Sequence, residues 1–275
     1  MSSAQLTLII CLFAAVIVLS IIMITVSVLV RKRRMRAHLT GPGSPSSRVS
    51  TDPWERFGPA LAAPYARTEW HRTRGAKRMY SPEQTYFGYG CVLPYPTLRS
   101  QLAHDWGVKT VEQAQVQVRN TVGLAAVSAA QYAMLRGESA QSLRARLIAD
   151  GAPEQAADLI ASHMHDSVEP GDTADRLLPN LAFDIARFAN LARWAGCIGH
   201  LDYAVVRQAS DVLGAAALTG FSSWAEFGRA YEEGLRGYTK RGLRPYLDAV
   251  EWLNTAPESP WKALAWPLAG SAPTS

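Results

Sequence analysis

Apolar residues recur at intervals of three and four from Thr97 to Val250, broken by glycines and helix-capping side chains, while alternation with period two is nearly absent. The pattern predicts an all-α domain. Residues 98–105 read as a short helix closed by Gly107, and residues 110–134 as an Ala-rich helix with Thr110 at its N-cap and Gly137 past its end. Residues 139–150 and 153–164 form a pair around Gly151, with Pro153 suited to a first turn where its missing N–H is not needed. Further helices are predicted over 181–197, over 202–218, and from Trp224 to about Leu253 with an interruption near Gly242 and Pro245. Residues 54–97 are rich in proline and aromatic side chains without a sustained period, which implies short helices and loops laid over the larger core. Residues 254–275 are punctuated by proline and read as a partly ordered tail, its Trp261 and Trp266 being candidates to touch a bilayer interface.

A different pattern precedes all of this. Residues 6–30 contain no charged side chain, and five of the next six residues, Arg31, Lys32, Arg33, Arg34 and Arg36, are basic. At about 1.5 Å per residue a 25-residue helix reaches about 37 Å, enough to cross a hydrocarbon core of about 30 Å with some tilt. A single N-terminal transmembrane helix is therefore expected. The stretch has no basic residue before it and no small-x-small motif after it, so it does not read as a cleaved secretory signal. The Lys/Arg bias lies wholly on the C-terminal flank, which predicts an outside N-terminus and a cytoplasmic C-terminal domain on the cytoplasmic membrane. The predicted layout is an anchor over 1–36, a Gly/Pro/Ser-rich flexible linker over 37–53, a helical domain over 54–253 and the tail over 254–275.

The anchor changes the meaning of the charge balance. All 23 acidic residues follow Thr51, whereas six of the 28 basic ones precede it, leaving 22 basic against 23 acidic in the rest. The basic character belongs to the juxtamembrane run, which suits anionic lipid headgroups, and no nucleic-acid partner is expected. Cys11 falls in the anchor and Cys91 and Cys197 stand alone, so no disulfide framework is indicated.

Two segments carry candidate chemistry. On the helix 181–197, Ile185, Phe188, Ala189, Ala192 and Ala195 form one stripe and Asp184, Arg187, Asn190, Leu191 and Trp194 a second. The second stripe pairs a carboxylate with a guanidinium at i,i+3 and adds an amide and an indole donor. One reading is an architectural ion pair; the other is a ligand site to which Arg193 and Glu226 would be added. In the second segment Ser223 and Glu226 have capping-box spacing, and Trp224, Phe227, Gly228, Tyr231 and Leu235 share one side, as a core-packing stripe does.

Asp184, Arg187, Asn190, Leu191, Arg193, Trp194 and Gly199, followed by Ser223, Trp224, Glu226, Phe227, Gly228, Tyr231 and Gly234, resemble the domain of unknown function 1266 family of bacterial proteins. Leu98 with Asp105, Trp106, Gly107 and Val108 is similar to that family's opening segment, so the resemblance spans about 80–240. It implies an α-helical domain and brings no activity with it. No metal or cofactor is expected: His163 and His165 stand at i,i+2 and point apart on a helix, and no GxSxG, no GxxxxGK[ST] and no complete dinucleotide fingerprint is present. The functional expectation is a membrane-anchored interaction or regulatory module with a protein partner. The alternative is an enzyme or small-molecule sensor using Asp184, Arg187, Asn190 and Trp194.

Overall fold

The computed structural model describes residues 49–73, 81–165 and 173–266, together with Met23. The expected span, its basic flank and nearly all of the linker lie outside the described residues, Met23 aside. No helix among those described is long and apolar enough to cross a membrane. All twelve described helices fall in one compact unit, and the described residues contain no strand.

They are α1 (Pro53–Leu61), α2 (Ala63–Arg72), α3 (Pro82–Tyr86), α4 (Tyr95–Trp106), α5 (Val111–Leu135), α6 (Ala140–Ala149), α7 (Glu154–Ser162), α8 (Ala174–Cys197), α9 (Tyr203–Gly220), α10 (Trp224–Tyr238), α11 (Arg244–Thr255) and α12 (Pro260–Ala263). Side-chain caps set most of the starts: Thr110, Ser139, Asp202 and Ser223 each accept from the backbone N–H three residues on. Gly107, at φ +68°, closes α4 in the left-handed region that side chains avoid.

Two predicted helices change their bounds, and one predicted interruption is present. Pro153 is the N-cap of α7 instead of its first-turn residue, and α7 ends at Ser162. α8 begins at Ala174 instead of Leu181 and carries Pro179 inside it, near enough to the N-terminus that only the Asp175 carbonyl loses its donor. The segment from Trp224 to the region of Leu253 divides into α10 and α11, as Gly242 and Pro245 require.

α8 is the axis of the molecule. From Leu181 to Cys197 every side chain is buried except those of Asp184 and Arg187, which are half-buried, so the two stripes read from the sequence become one helix enclosed on nearly all sides. It packs most extensively against α10, with α9, α5, α1, α2 and α4 completing the enclosure. The α8–α10 approach depends on Gly234, where a Cβ would lie 2.2 Å from the Pro179 carbonyl oxygen. That contact lets two backbones meet where any side chain would hold them apart.

Of the expected partly ordered tail, residues 254–266 are described and residues 267–275 lie outside the described residues. Trp261 and Trp266 are buried in the core and do not form an interfacial motif: Trp261 stacks on Trp224 with centroids 5.1 Å apart and donates Nε1–H to the Ala60 carbonyl at 3.0 Å. Trp266 meets Phe57 and Trp224 edge to face at 4.9 and 4.7 Å. Burial of three indoles in one cluster outweighs the local breaking effect of Pro260, which takes a first-turn position in α12 capped by Ser259. Phe57 and Leu61 of α1 are likewise fully enclosed, so the segment 54–73 is part of the core and not a cover over it.

Candidate functional site

Arg193 is the largest fully buried side chain among the described residues, and its charge is met from three directions. Its Nη2 pairs with Glu69 Oε1 of α2 and donates to Asn190 Oδ1 at 2.7 Å, Nε donates to the same Asn190 oxygen at 3.2 Å, and Nη1 donates to the Gly90 carbonyl at 2.9 Å. Trp194 completes the group by donating Nε1–H to Glu69 Oε1 at 2.7 Å. Asn190, Arg193 and Trp194, read from the sequence as one potential site, are thus mostly satisfied by Glu69 and one another. A buried pair of this kind orients α8 against α2 and the segment before α4; its cost of desolvation is offset by the additional hydrogen bonds. Cys91 and Cys197 are enclosed beside it as free thiols, and burial pushes the Cys91 thiol well up, which favours the inert protonated form.

The open chemistry lies one turn back along α8. Arg187 and Asp184 form the i,i+3 pair expected from their spacing, Nη2 to Oδ1 at 2.9 Å. The guanidinium carbon stands 5.2–5.3 Å from the ring centroids of Trp106, Phe183, Phe188 and Tyr238. Such an arrangement holds a cation in partial burial by the electron-rich ring faces. Burial pushes the Asp184 carboxyl above its ordinary value, and Arg187 pulls it back.

Beside this cage opens a cleft of about 340 Å³. Its walls are Tyr65, Trp106, Phe183, Trp194, Tyr238 and Tyr246, with polar groups from Gln101, Asp105, Arg187, Asn190 and Thr239. Tyr65 lies edge to face against Tyr246 and Tyr231 at 5.4 and 6.2 Å. Burial pushes all three phenols up, so they remain neutral donors in a low-dielectric wall. Trp106, which the sequence marked only as a family-like signature, is therefore a wall of the cleft.

Glu226 is corrected: it is not part of this site. It sits at the first turn of α10, whereas Tyr238 at the other end of the same helix faces Arg187, and twelve helical residues separate them by about 18 Å. Glu226 lines a second cleft, of about 580 Å³, with Arg146, Glu138, Asp150 and Trp266. The expected capping box is also half formed. Ser223 Oγ accepts from Glu226 N at 3.2 Å, but the carboxylate accepts from Ser222 N and Oγ at 2.8 and 2.7 Å instead of reaching the Ser223 backbone. Trp224, Phe227 and Tyr231 are core, and a Cβ on Gly228 would meet Asn254 and Trp261 at 2.9 and 3.0 Å.

Spacing could not reveal Glu69, Tyr65, Gln101 or Tyr246, which come from α2, α4 and α11. Among the described residues no three His, Cys, Asp or Glu side chains converge as a metal site.

Fold and site together define an all-helical domain organised around a buried glutamate–arginine centre with an aromatic cleft at its side. The family model described as Protein of unknown function (DUF1266) matches residues 101–266, and the chain belongs to that family. The match begins later and ends later than the resemblance read from the sequence, taking in α11, α12 and Trp266, while Glu69 and Tyr65 lie before it. No curated protein and no solved structure matches the chain.

Proposed function

We propose that this chain is a membrane-tethered small-molecule sensor, in which residues 6–30 anchor a cytoplasmic domain and the cleft beside Arg187 receives a compact planar ligand. The supporting observation is the cleft itself: six aromatic side chains and one ring-caged guanidinium surround about 340 Å³. Ligand pockets run from roughly 300 to 1,000 Å³, so this volume suits a single ring system with its substituents and not a dinucleotide. Arg187 is held by Asp184 and the rings, so its role is to polarise one wall and stack on the ligand. Binding is the activity this arrangement supports.

The anchor rests on the uncharged run and its basic flank, with Arg31, Lys32, Arg33, Arg34 and Arg36 at anionic headgroups. Confinement to the membrane plane raises the domain's effective concentration toward membrane-localised partners. A protein partner has its own support in a mainly apolar groove of about 560 Å³ lined by Val118, Val122, Leu159, Val205 and Val212.

Two measurements test the proposal. The full-length protein should sediment with membranes and resist carbonate extraction, while a chain beginning at Asp52 should be released; equal extraction of both removes the anchor. A thermal-unfolding panel of nucleosides, aromatic amino acids and aromatic acids should contain compounds that raise Tm, by an amount that Trp106→Ala abolishes. No stabilising compound, or stabilisation indifferent to Trp106→Ala, removes the cleft as a binding site.

A further inference from the structure

Exposed cations stand next to lining residues of the cleft. Thr239 and Tyr246 line the cleft. Directly after Thr239 come Lys240 and Arg241, both exposed, in the turn joining α10 to α11. Lys240 Nζ donates to the Arg236 carbonyl at 2.9 Å, which pins the ammonium group at the C-terminal end of α10 and uses one of its three hydrogens. From α2, the exposed Arg72 reaches over the Tyr246 ring with its guanidinium carbon 5.9 Å from the centroid. Two neighbouring cations are already neutralised, Arg236 by Glu232 at 3.9 Å and Arg244 by Asp248 at 2.8 Å. Arg72, Lys240 and Arg241 have no ion pair to a described carboxylate, and of the acidic groups at the site Asp184 is committed to Arg187. Asp105 is the remaining opposing charge on the wall.

Three exposed cations without an ion pair to a described carboxylate, one over a lining ring and two within two positions of the lining Thr239, have a direct chemical complement beside an aromatic pocket sized for one ring system. Building on the small-molecule reading above, we propose that the ligand is an anionic aromatic molecule, its ring stacked in the cleft and its phosphate or carboxylate held at the rim by Arg72, Lys240 and Arg241. Stacking against aromatic walls is indifferent to the ring's exact substituents, so the rim cations set the preference among planar compounds. An exposed cation contributes a few-fold to a bound anion, so three together favour the charged over the neutral form of one ring by about ten-fold. The advantage is screened by salt because the rim is open to water.

Matched pairs decide it, titrated calorimetrically into the full-length protein in detergent: adenosine 5′-monophosphate against adenosine, and nicotinate against nicotinamide. In at least one pair the charged member should bind about ten-fold more tightly, with the advantage lost near 1 M salt. In the Arg72→Ala/Lys240→Ala/Arg241→Ala variant it should fall to the affinity of the neutral member, whose own binding is unchanged. The nucleotide pair responding alone assigns a phosphate, and the nicotinate pair responding alone assigns a carboxylate. Neutral members binding as tightly as their charged partners in both pairs overturn the anionic class and leave the cleft reading intact. A charged preference that survives the triple substitution places recognition away from the rim and overturns the proposal as well. Absence of binding by all four probes overturns the ligand class, while the thermal panel with Trp106→Ala judges the cleft independently. The three side chains are exposed, and an unchanged Tm without ligand establishes that the variant is folded.

Discussion

Arg193→Met tests the buried centre most directly, because it keeps a long side chain while withdrawing the guanidinium donors that Glu69, Asn190 and the Gly90 carbonyl accept from. Glu69 would retain only the Trp194 indole, and its Oε2 already has no hydrogen-bond partner among the described residues. Removing one member of a buried ion pair costs about 3–5 kcal/mol, most of it from the charge left behind. Against a total stability of about 5–15 kcal/mol, that is a large fraction. For a domain of this size each kcal/mol moves Tm by about 2–4 °C, so the variant should melt some 6–20 °C lower. Urea unfolding followed by tryptophan fluorescence measures it, with a reduced midpoint and an unchanged slope. The double variant Glu69→Leu/Arg193→Met removes both charges and should recover part of the loss. A cost below about 1 kcal/mol for Arg193→Met, or a double variant less stable than the single by the full cost of Glu69→Leu alone, would falsify the view that these two charges depend on one another.

Other substitutions probe the frame around that centre. Gly234→Ala should destabilise by about 3 kcal/mol, since its Cβ would meet the Pro179 oxygen at 2.2 Å, whereas Gly237→Ala on the same helix meets nothing within 4 Å and should be neutral or slightly stabilising; equal effects in urea unfolding would refute the close α8–α10 contact. Trp261→Ala should cost about 3–5 kcal/mol by emptying the space beside Trp224 and leaving the Ala60 carbonyl without its donor, and a loss under about 1 kcal/mol would return the C-terminal segment to the status of a tail. Asp184 has its folded-state pKa raised by burial, so it binds its proton more tightly folded than unfolded; its contribution is present below the ordinary value of 3.8 and is lost as pH rises through the raised folded value. Asp184→Asn should accordingly flatten the stability profile just above pH 3.8, and a profile identical to the parent's in that range contradicts the assignment.

How far the sequence anticipated the site depends on the separation of the partners. The Asp184–Arg187 pair is legible because both lie on one helix three residues apart. Asn190 and Trp194 were singled out on the same face, yet their use is decided by Glu69, 124 positions from Arg193. Glu226 was expected near them in the fold, and the run of α10 carries it to the opposite end of the helix from Tyr238. Trp261 and Trp266 illustrate the reverse error: local prolines suggested weak order, and a distant tryptophan supplied the burial that overrides it.

The all-helical character, the caps at Thr110, Ser139, Asp202 and Ser223, the left-handed Gly107 and the membership in the family were all present in the chain by itself, since each depends on residues within a few positions of one another. The enclosure of α8, the Glu69–Arg193 centre and the aromatic cleft assembled from α2, α4, α8, α10 and α11 were decided only by the tertiary structure. Helix formation is governed by neighbours in sequence, whereas desolvation and charge pairing are governed by neighbours in space, and packing alone selects which distant side chain stands opposite a buried guanidinium.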